Sequence, residues 1–502
     1  MATMTAFASA EEEGWQKSFT PVASADDLDG VHTAVASDGS VFASSTYNQA
    51  FTVGDVAVAD PEGLTSSCIL KFDKDGNAKW VVTLLGKCYV RAMVADTDGR
   101  LYVAAQSQDE KVICTGTDGK HYEIVNPTSE IYGFSYSAFI LRIDANGAIV
   151  ATKTISTVAN AELLTSGLYF PLSGDIYVNP LDISIDGDNL YVSANFTGDN
   201  YDLGWYGAIL NVFDFMYSDN KSCGIFSLPK ELSGLQSELV VQNSEAISYN
   251  QHFPEAVGFV AKDGKVFAGF IGFGNLTAKT PAGAAPFAFE VATDESGNAE
   301  HPFVMLRTDH PTDAKIFHAA MHDKLNRPYN VVGATMNGTN FYMSGTFYGN
   351  FPLDNSKNAA ESATSSFVAC IDGERNVSWS WVNPVESKAT CMIVTGEEIH
   401  AATEAAMYTL KTETGEKKNT MDQGFEDADV YNDQYVGTIF KKDNSVTVFS
   451  PKLSPSGINS TKAAMKNGNA KFYNVNGMEL PAPQKGLNII KTDDGVKKVS
   501  VK

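Results

Sequence analysis

The sequence predicts an all-β fold: a seven-bladed β-propeller closed by an N-terminal strand and followed by a small C-terminal β module. Three observations predict it. A four-strand unit recurs along the chain, each copy keeps tight turns at the same two joints, and the last copy lacks a fourth strand that the N-terminus can supply. The unit is plainest from Gly30 to Leu85, where strands are expected at residues 32–37, 41–46, 67–72 and 79–84. Asp-Gly turns join the first strand to the second and the third to the fourth, the short signal of a hairpin, while a longer loop joins the second to the third.

In chain order, the innermost strand and its turn read HTAVASDGSVFAS at 32, RAMVADTDGRLYVAA at 91, PLDISIDGDNLYVSA at 180, VGFVAKDGKVFAGF at 257, VVGATMNGTNFYMSG at 331, ATCMIVTGEEIHAAT at 389 and DADVYNDQYVGTIF at 427. Repeats of this kind bury their faces only against their neighbours, so one toroid replaces the several domains that length alone suggests. The outer hairpins agree: SSCILKFDKDGNAKW at 66 matches SSFVACIDGERNVSW at 365, and SAFILRIDANGAIVA at 137 and FAFEVATDESGNAEH at 287 keep the frame without the Trp. The sixth copy shrinks to MYTLKTETGEKKN at 407, and the seventh offers SVTVFSPK at 445 before a polar run. Trp15 stands where Trp80 and Trp379 stand, so the chain's start is expected to complete the last blade and remove its open edge.

The propeller is thus expected at 14–454, a polar linker at 455–468 and the small module at 469–502, with turns at Asn476-Gly477 and Asp494-Gly495. From Leu453 onward eight lysines face three acids, the reverse of the rest of the chain. Residues 1–13 read as the remnant of a signal peptide, with an A-x-A site at Ala8-Ser9-Ala10 and no basic segment before it, or else as a disordered N-terminus.

A formal net charge of -23 argues against nucleic acid and other polyanions as partners, leaving proteins and neutral glycans. No apolar run reaches the roughly 18 residues of a membrane-spanning helix, so no integral membrane segment is expected. The six cysteines show no CxxC pair and no metal-ligand spacing. Cys68 and Cys391 fall on predicted inner strands and read as small buried hydrophobes, although export would permit a disulfide.

The unit DGxVFASSxYxxxFTVG followed by SSCILKFDKDGNAKW resembles the bacterial extracellular β-propeller repeat called SBBP, over about Gly14 to Lys452. The tail, with its Gly486-Leu487-Asn488-Ile489 strand and Lys-Val-Ser-Val-Lys ending, resembles the C-terminal sorting module of Bacteroidetes secreted proteins. The resemblance implies a secreted or surface protein of a Bacteroides-like bacterium. The outer hairpins also resemble the quinoprotein dehydrogenase repeat, but Trp recurs in only some copies and no adjacent Cys pair supports a quinone cofactor.

Candidate chemistry gathers at three places. Residues just before and early in each inner strand, His32, Arg91, Asn179, Asp182, Glu255, Asn330, Lys388 and Asp427, are expected to line the channel mouth, where convergent polar groups bind a ligand or do acid–base work. Long connections at 106–136, 199–223, 242–255 and 306–330 emerge on one face and carry aromatic residues, among them Tyr132, Phe134, Tyr136, Tyr177, Trp205 and Tyr206. The Asp-rich turns at Asp73 and Asp96 invite calcium, but their Gly stands at the fourth position and no Glu stands at the twelfth, so a structural turn is the better reading. His318 and His322 have helical i, i+4 spacing without an HExxH pattern, and no metal is assigned to them. The expected function is ligand binding by a monomer through the long-loop face, the ligand a glycan or a protein. A glycan lyase or hydrolase, or a structural adhesion scaffold, is the alternative.

Overall fold

The computed structural model describes residues 15–129, 133–158, 176–205, 222–243, 255–271, 275–288, 299–300, 303–317, 321–322, 329–348, 351, 353, 364–422, 424–431, 434–450, 471–474, 479–480, 486–492 and 495–501. They fall into two compact units, the larger ending at residue 450 and the smaller starting at 471. The expected signal remnant and linker lie outside the described residues.

The larger unit is built from antiparallel sheets of four to six strands, taken here in chain order. The first sheet holds Thr33–Val35, Val41–Tyr47, Ser66–Phe72 and Ala78–Leu85, close to the expected boundaries. The second runs Cys88–Ala95, Leu101–Ser107, Ser137–Ile143 and Ile149–Ile155. The third starts with Val178–Asp186, Asn189–Phe196, Ser222–Pro229 and Gln236–Asn243. The fourth has Glu255–Lys262, Lys265–Ile271, Phe303–Arg307 and His310–Phe317, and the fifth Tyr329–Asn337, Asn340–Tyr348, Thr364–Ile371 and Val377–Glu386. The sixth has Ala389–Thr395, Glu398–Thr403, Met407–Lys411 and Lys417–Met421. The seventh takes Asp427–Tyr431, Gln434–Lys442 and Ser445–Ser450 from the end of the unit and Trp15–Phe19 from its start, with Trp15 opposite Ser450 and Phe19 opposite Val446. First strands of successive sheets pack side by side, and the seventh packs against the first, a propeller-like arrangement.

Apolar side chains collect between successive sheets rather than at one centre. Phe42, Ile69, Val82, Leu101, Val103 and Phe139 fill the space between the first and second, and Tyr102, Ile140, Val192 and Phe226 the next. Each such side chain contributes about 2 kcal/mol through burial. All six cysteines are buried free thiols; Cys391 lies on an innermost strand and Cys68 on a third strand. Burial pushes the Cys68 and Cys88 thiols up to about 12, which keeps them unreactive.

Two expectations about the fourth sheet are corrected. Its outer hairpin is Phe303–Arg307 with His310–Phe317, not the stretch beginning at Phe287, and residues after Leu306 form its fourth strand rather than a loop. FVMLR offers the apolar run that burial between two sheets demands, which AFEVATDESG lacks. The long insertions also hold hairpins. Lys111–Thr115 and His121–Val125 add to the outer edge of the first sheet, and Asn275–Thr280 and Gly283–Ala288 to that of the third. His322 sits in the short strand Met321–His322 rather than a helix, and His318 lies outside the described residues.

The Asp-rich turns are structural. Asp73 Oδ1 accepts the N–H groups of Asp75 and Asn77, and Asp96, Asp144 and Asp372 repeat the pattern two and four residues on. The repeated tryptophans dock on these outer turns of the next sheet. Trp80 Nε1 donates to Ala145 O at 3.2 Å, Trp15 to Lys74 O at 3.1 Å and Trp379 to Thr412 O at 3.0 Å. Each indole lies over the glycine of that turn: a Cβ on Gly147, Gly76 or Gly415 would come within 3.0 Å of it. These glycines also have φ of 89°, 81° and 67°, the left-handed region that side chains resist.

In the smaller unit Lys471–Asn474 pairs with Glu479–Leu480 and Gly486–Thr492, and Gly495–Val501 completes the sheet. The residues Asn476, Gly477 and Asp494 of its expected turns lie outside the described residues.

Trp80→Ala is expected to cost about 3 kcal/mol or more in equilibrium urea unfolding, and Gly147→Ala about 2 kcal/mol. Because both remove one contact, the double variant should cost clearly less than the sum; additivity would show that the pair does not act as a unit.

Candidate functional site

In five sheets the innermost strand carries a bulge at the same place, with Arg91, Leu181, Val257, Val332 and Thr390 as the extra residues. A bulge puts two consecutive residues on one side of a strand. Arg91 and Ala92, Leu181 and Asp182, Val332 and Gly333, and Thr390 and Cys391 all line one cavity of about 520 Å3. His32 and Thr33 of the first sheet and Glu426, Asp427 and Asp429 of the seventh complete its wall. Most of these residues stand early in the innermost strands, just after the connections between sheets.

The lining is uneven. Polar side chains come from the first, second, third, sixth and seventh sheets, His32, Arg91, Asp182, Asn195, Thr390 and Asp427 among them, and apolar Leu181, Ile183, Met392, Val331 and Val332 stand between them. One level in, Ala92, Gly258, Gly333 and Cys391 are small because the strands crowd there: a Cβ on Gly258 would lie 3.1 Å from Val331, and one on Gly333 3.1 Å from Met392. Asp182 and Asp427 are the acids at that level.

Burial pushes the Asp182 carboxyl up to about 7; Asp427 raises it further, while the Ile183 N–H, at 2.8 Å, and His32 pull it down. Asp427 Oδ2 accepts the Thr33 N–H at 2.8 Å and lies 3.7 Å from His32 Nδ1. Arg91 donates to Asp29 at 3.3 Å and stacks on Tyr89 at 4.9 Å. Burial also pushes the Cys391 thiol well up, with Asp427 and Glu426 adding to the shift.

Of the expected mouth residues, the cavity brings together His32, Arg91, Asp182 and Asp427. Asn179 and Lys388 are not among its lining; Lys388 is exposed and Asn179 Oδ1 is buried without a hydrogen-bond partner. Counting back from the turn missed the bulge, which moves the channel-facing position to Leu181 and Thr390. The side chains of Glu255 and Asn330 lie outside the described residues. Sequence reading also passed over Thr390, which the bulge register would have found, and Glu426 and Asp429 of the seventh sheet.

On the loop face, Trp205 is corrected from an exposed ring to a core one. It is fully buried, stacked on Phe196 at 4.2 Å and tilted against Phe226 at 5.7 Å. The indole lies 3.1 Å from where a Cβ of Gly224 would be, so that glycine makes room for it. Its loop folds back through the Asn200–Trp205 bridge and places the ring in the core between the second and third sheets. Tyr136 is half-buried, and Tyr132, Tyr206 and the side chain of Phe134 lie outside the described residues.

No helix among the described residues is long and apolar enough to cross a membrane. No family model matches the chain, and no curated protein matches it. Solved structures similar to it include the computationally designed Ika8 protein, 9% identical over 87% of this chain and 98% of that one, with a TM-score of 0.34. A protein of unknown function from Bacteroides caccae is 11% identical over 74% and 94%, with a TM-score of 0.26. A member of the duf4221 family from Bacteroides vulgatus is 10% identical over 74% and 98%, with a TM-score of 0.28. At these TM-scores the likeness carries no argument about this chain.

A carboxyl that holds its proton more tightly folded than unfolded stabilises below its unfolded range, near 3.8, and that contribution is lost as pH rises through about 7. Asp182→Asn should therefore stabilise the protein at pH 8 by ~2 kcal/mol and leave it nearly unchanged at pH 4, read by denaturant unfolding at both. An equal effect at both pH values would refute the raised carboxyl. Trp205→Ala should cost about 3 kcal/mol or more, as loss of a core ring.

Proposed function

We propose that the chain is an exported or cell-surface binding protein. In this reading residues 14–454 form a seven-bladed propeller closed by its N-terminal strand, 455–468 a linker and 469–502 a small sorting-like module. It acts as a monomer and takes its ligand at the channel mouth, on the long-connection face. The observation that carries the reading is the mixed lining of the 520 Å3 cavity, where polar His32, Arg91, Asp182, Thr390 and Asp427 stand beside apolar Leu181, Val331 and Val332. Such a wall suits a small group with hydrogen-bond donors on one side and C–H surface on the other, as the end of a glycan or an exposed peptide side chain has.

One observation favours glycan cleavage as a second reading: Asp182, held at about 7, faces Asp427 across the cavity, so a proton donor and a carboxylate share one space. Against it, each Asp427 oxygen accepts a backbone N–H, Oδ2 from Thr33 and Oδ1 from Ala428, so the carboxylate is held as part of the wall. Binding is the better reading, and a scaffold without a small ligand is the third.

A glycan array probed with the full chain should give ligands whose affinity falls tenfold or more in His32→Ala and Leu181→Asp, with Tm changed little. Array binding that both variants retain would move the site to the loops. Absence of binding to glycans and to a displayed peptide library would leave the scaffold reading. Cleavage of a bound glycan, abolished by Asp182→Asn, would establish the enzyme instead.

A further inference from the structure

We propose that Asp427 and Asp429 form a carboxylate latch that holds the ring shut on its inner side, and that the joint between the seventh and first sheets opens first when the latch is removed. The first strand of the first sheet, Thr33–Val35, is hydrogen-bonded to a neighbouring strand on one side only. His32 O and Ala36 N bond to Val41–Tyr47 and its preceding turn, so the alternate N–H groups of Thr33 and Val35 face away from their own sheet. Asp427 Oδ2 accepts the Thr33 N–H at 2.8 Å, and Asp429 Oδ2 the Val35 N–H at 2.7 Å.

The spacing matches because both pairs repeat every second residue of an extended strand, so two carboxylates on one face meet two N–H groups on the facing edge. These are charge-assisted bonds, shorter and stronger than amide–carbonyl ones. His32 Nδ1 lies 3.7 Å from the same Asp427 oxygen.

The joint needs a latch for a topological reason. The seventh sheet takes its fourth strand from the start of the unit, so no peptide bond links Ser450 to Trp15. Its first three strands are tied covalently to the ring only through the sixth sheet. On the other side they are held by the Trp15–Phe19 ladder outside and the two carboxylates inside. The latch also stands in the cavity wall, so opening this joint would breach the cavity. The inference stands whatever the cavity binds.

Hydrogen exchange of the full chain at pH 7 tests it. In the Asp427→Ala, Asp429→Ala double variant, exchange at residues 15–19, 33–35 and 445–450 should quicken tenfold or more, while residues 137–143 and 222–229 exchange as before. The Asn pair keeps a carbonyl acceptor and should quicken the same segments two- to threefold. Unchanged exchange at the joint in the Ala pair, or faster exchange spread over every sheet, would overturn the latch. Where the Ala pair does not fold, the Asn pair decides: a rise confined to the joint supports the latch, and no rise or a general one overturns it.

Discussion

Among the described residues the seven main sheets of the larger unit pack against their neighbours, and their apolar clusters lie between sheets rather than at one centre. The structure therefore depends on the joints between sheets, and the sequence spends its distinctive residues there. At the outer rim Trp15, Trp80 and Trp379 dock on the next turn. Where Trp is absent a long cation does similar work: Arg142 reaches Lys230 O at 3.1 Å, and Arg375 pairs with Asp313 at 2.6 Å across the fourth and fifth sheets. At the tight-turn face the first hairpin turns are tied in sequence, Ser37 to Thr97, Gly264 to Asp186, Lys262 to Gly338 and Asn337 to Gly396. An exposed pair such as Arg375–Asp313 is worth little alone, whereas an indole over a glycine also removes apolar surface from water. The tryptophans thus stabilise their joints more than the ion pairs do theirs.

The inner rim obeys a different rule. Strands converge there, so side chains must shrink, and Gly258 and Gly333 are the result. Bulges relieve the same crowding by turning each strand while presenting an extra residue to the channel. An ionisable group kept at that level loses part of its hydration, which is why Asp182 holds its proton up to about 7.

Much of this was legible in the sequence, for a physical reason. Tight turns have few chemical solutions, so Asp73, Asp96, Asp144 and Asp372 mark register through carboxylates that their own backbone requires. Trp15 was legible by the same logic, because its partner glycine repeats with it. The bulges were not: Arg91, Leu181 and Thr390 share no residue type, and a bulge is set by how strands converge rather than by local chemistry. That is why the cavity holds His32, Arg91, Asp182 and Asp427 of the expected residues but not Lys388 or Asn179. Trp205 misled because a ring in a long insertion reads alike whether it faces water or closes its own loop.

The insertions themselves change meaning once their pairing is known. Length and aromatic content marked 106–136 as a binding loop, yet its hairpin hydrogen-bonds Ile113, Cys114 and Thr115 to Leu85, Leu84 and Thr83 at the first sheet's outer edge. The hairpin at 275–288 does the same for the third sheet, and the one at 51–58 sets Phe51 against Phe19 of the closing strand at 5.3 Å. An outer strand is an unpaired edge that another chain can join, and a hairpin whose own outer strand carries charges such as Glu123, paired with Lys111, blunts it. Insertions that cover edges cannot be counted as evidence for a binding face. The proposed function therefore rests on the cavity at the innermost strands, where residues from successive sheets meet, rather than on the insertions.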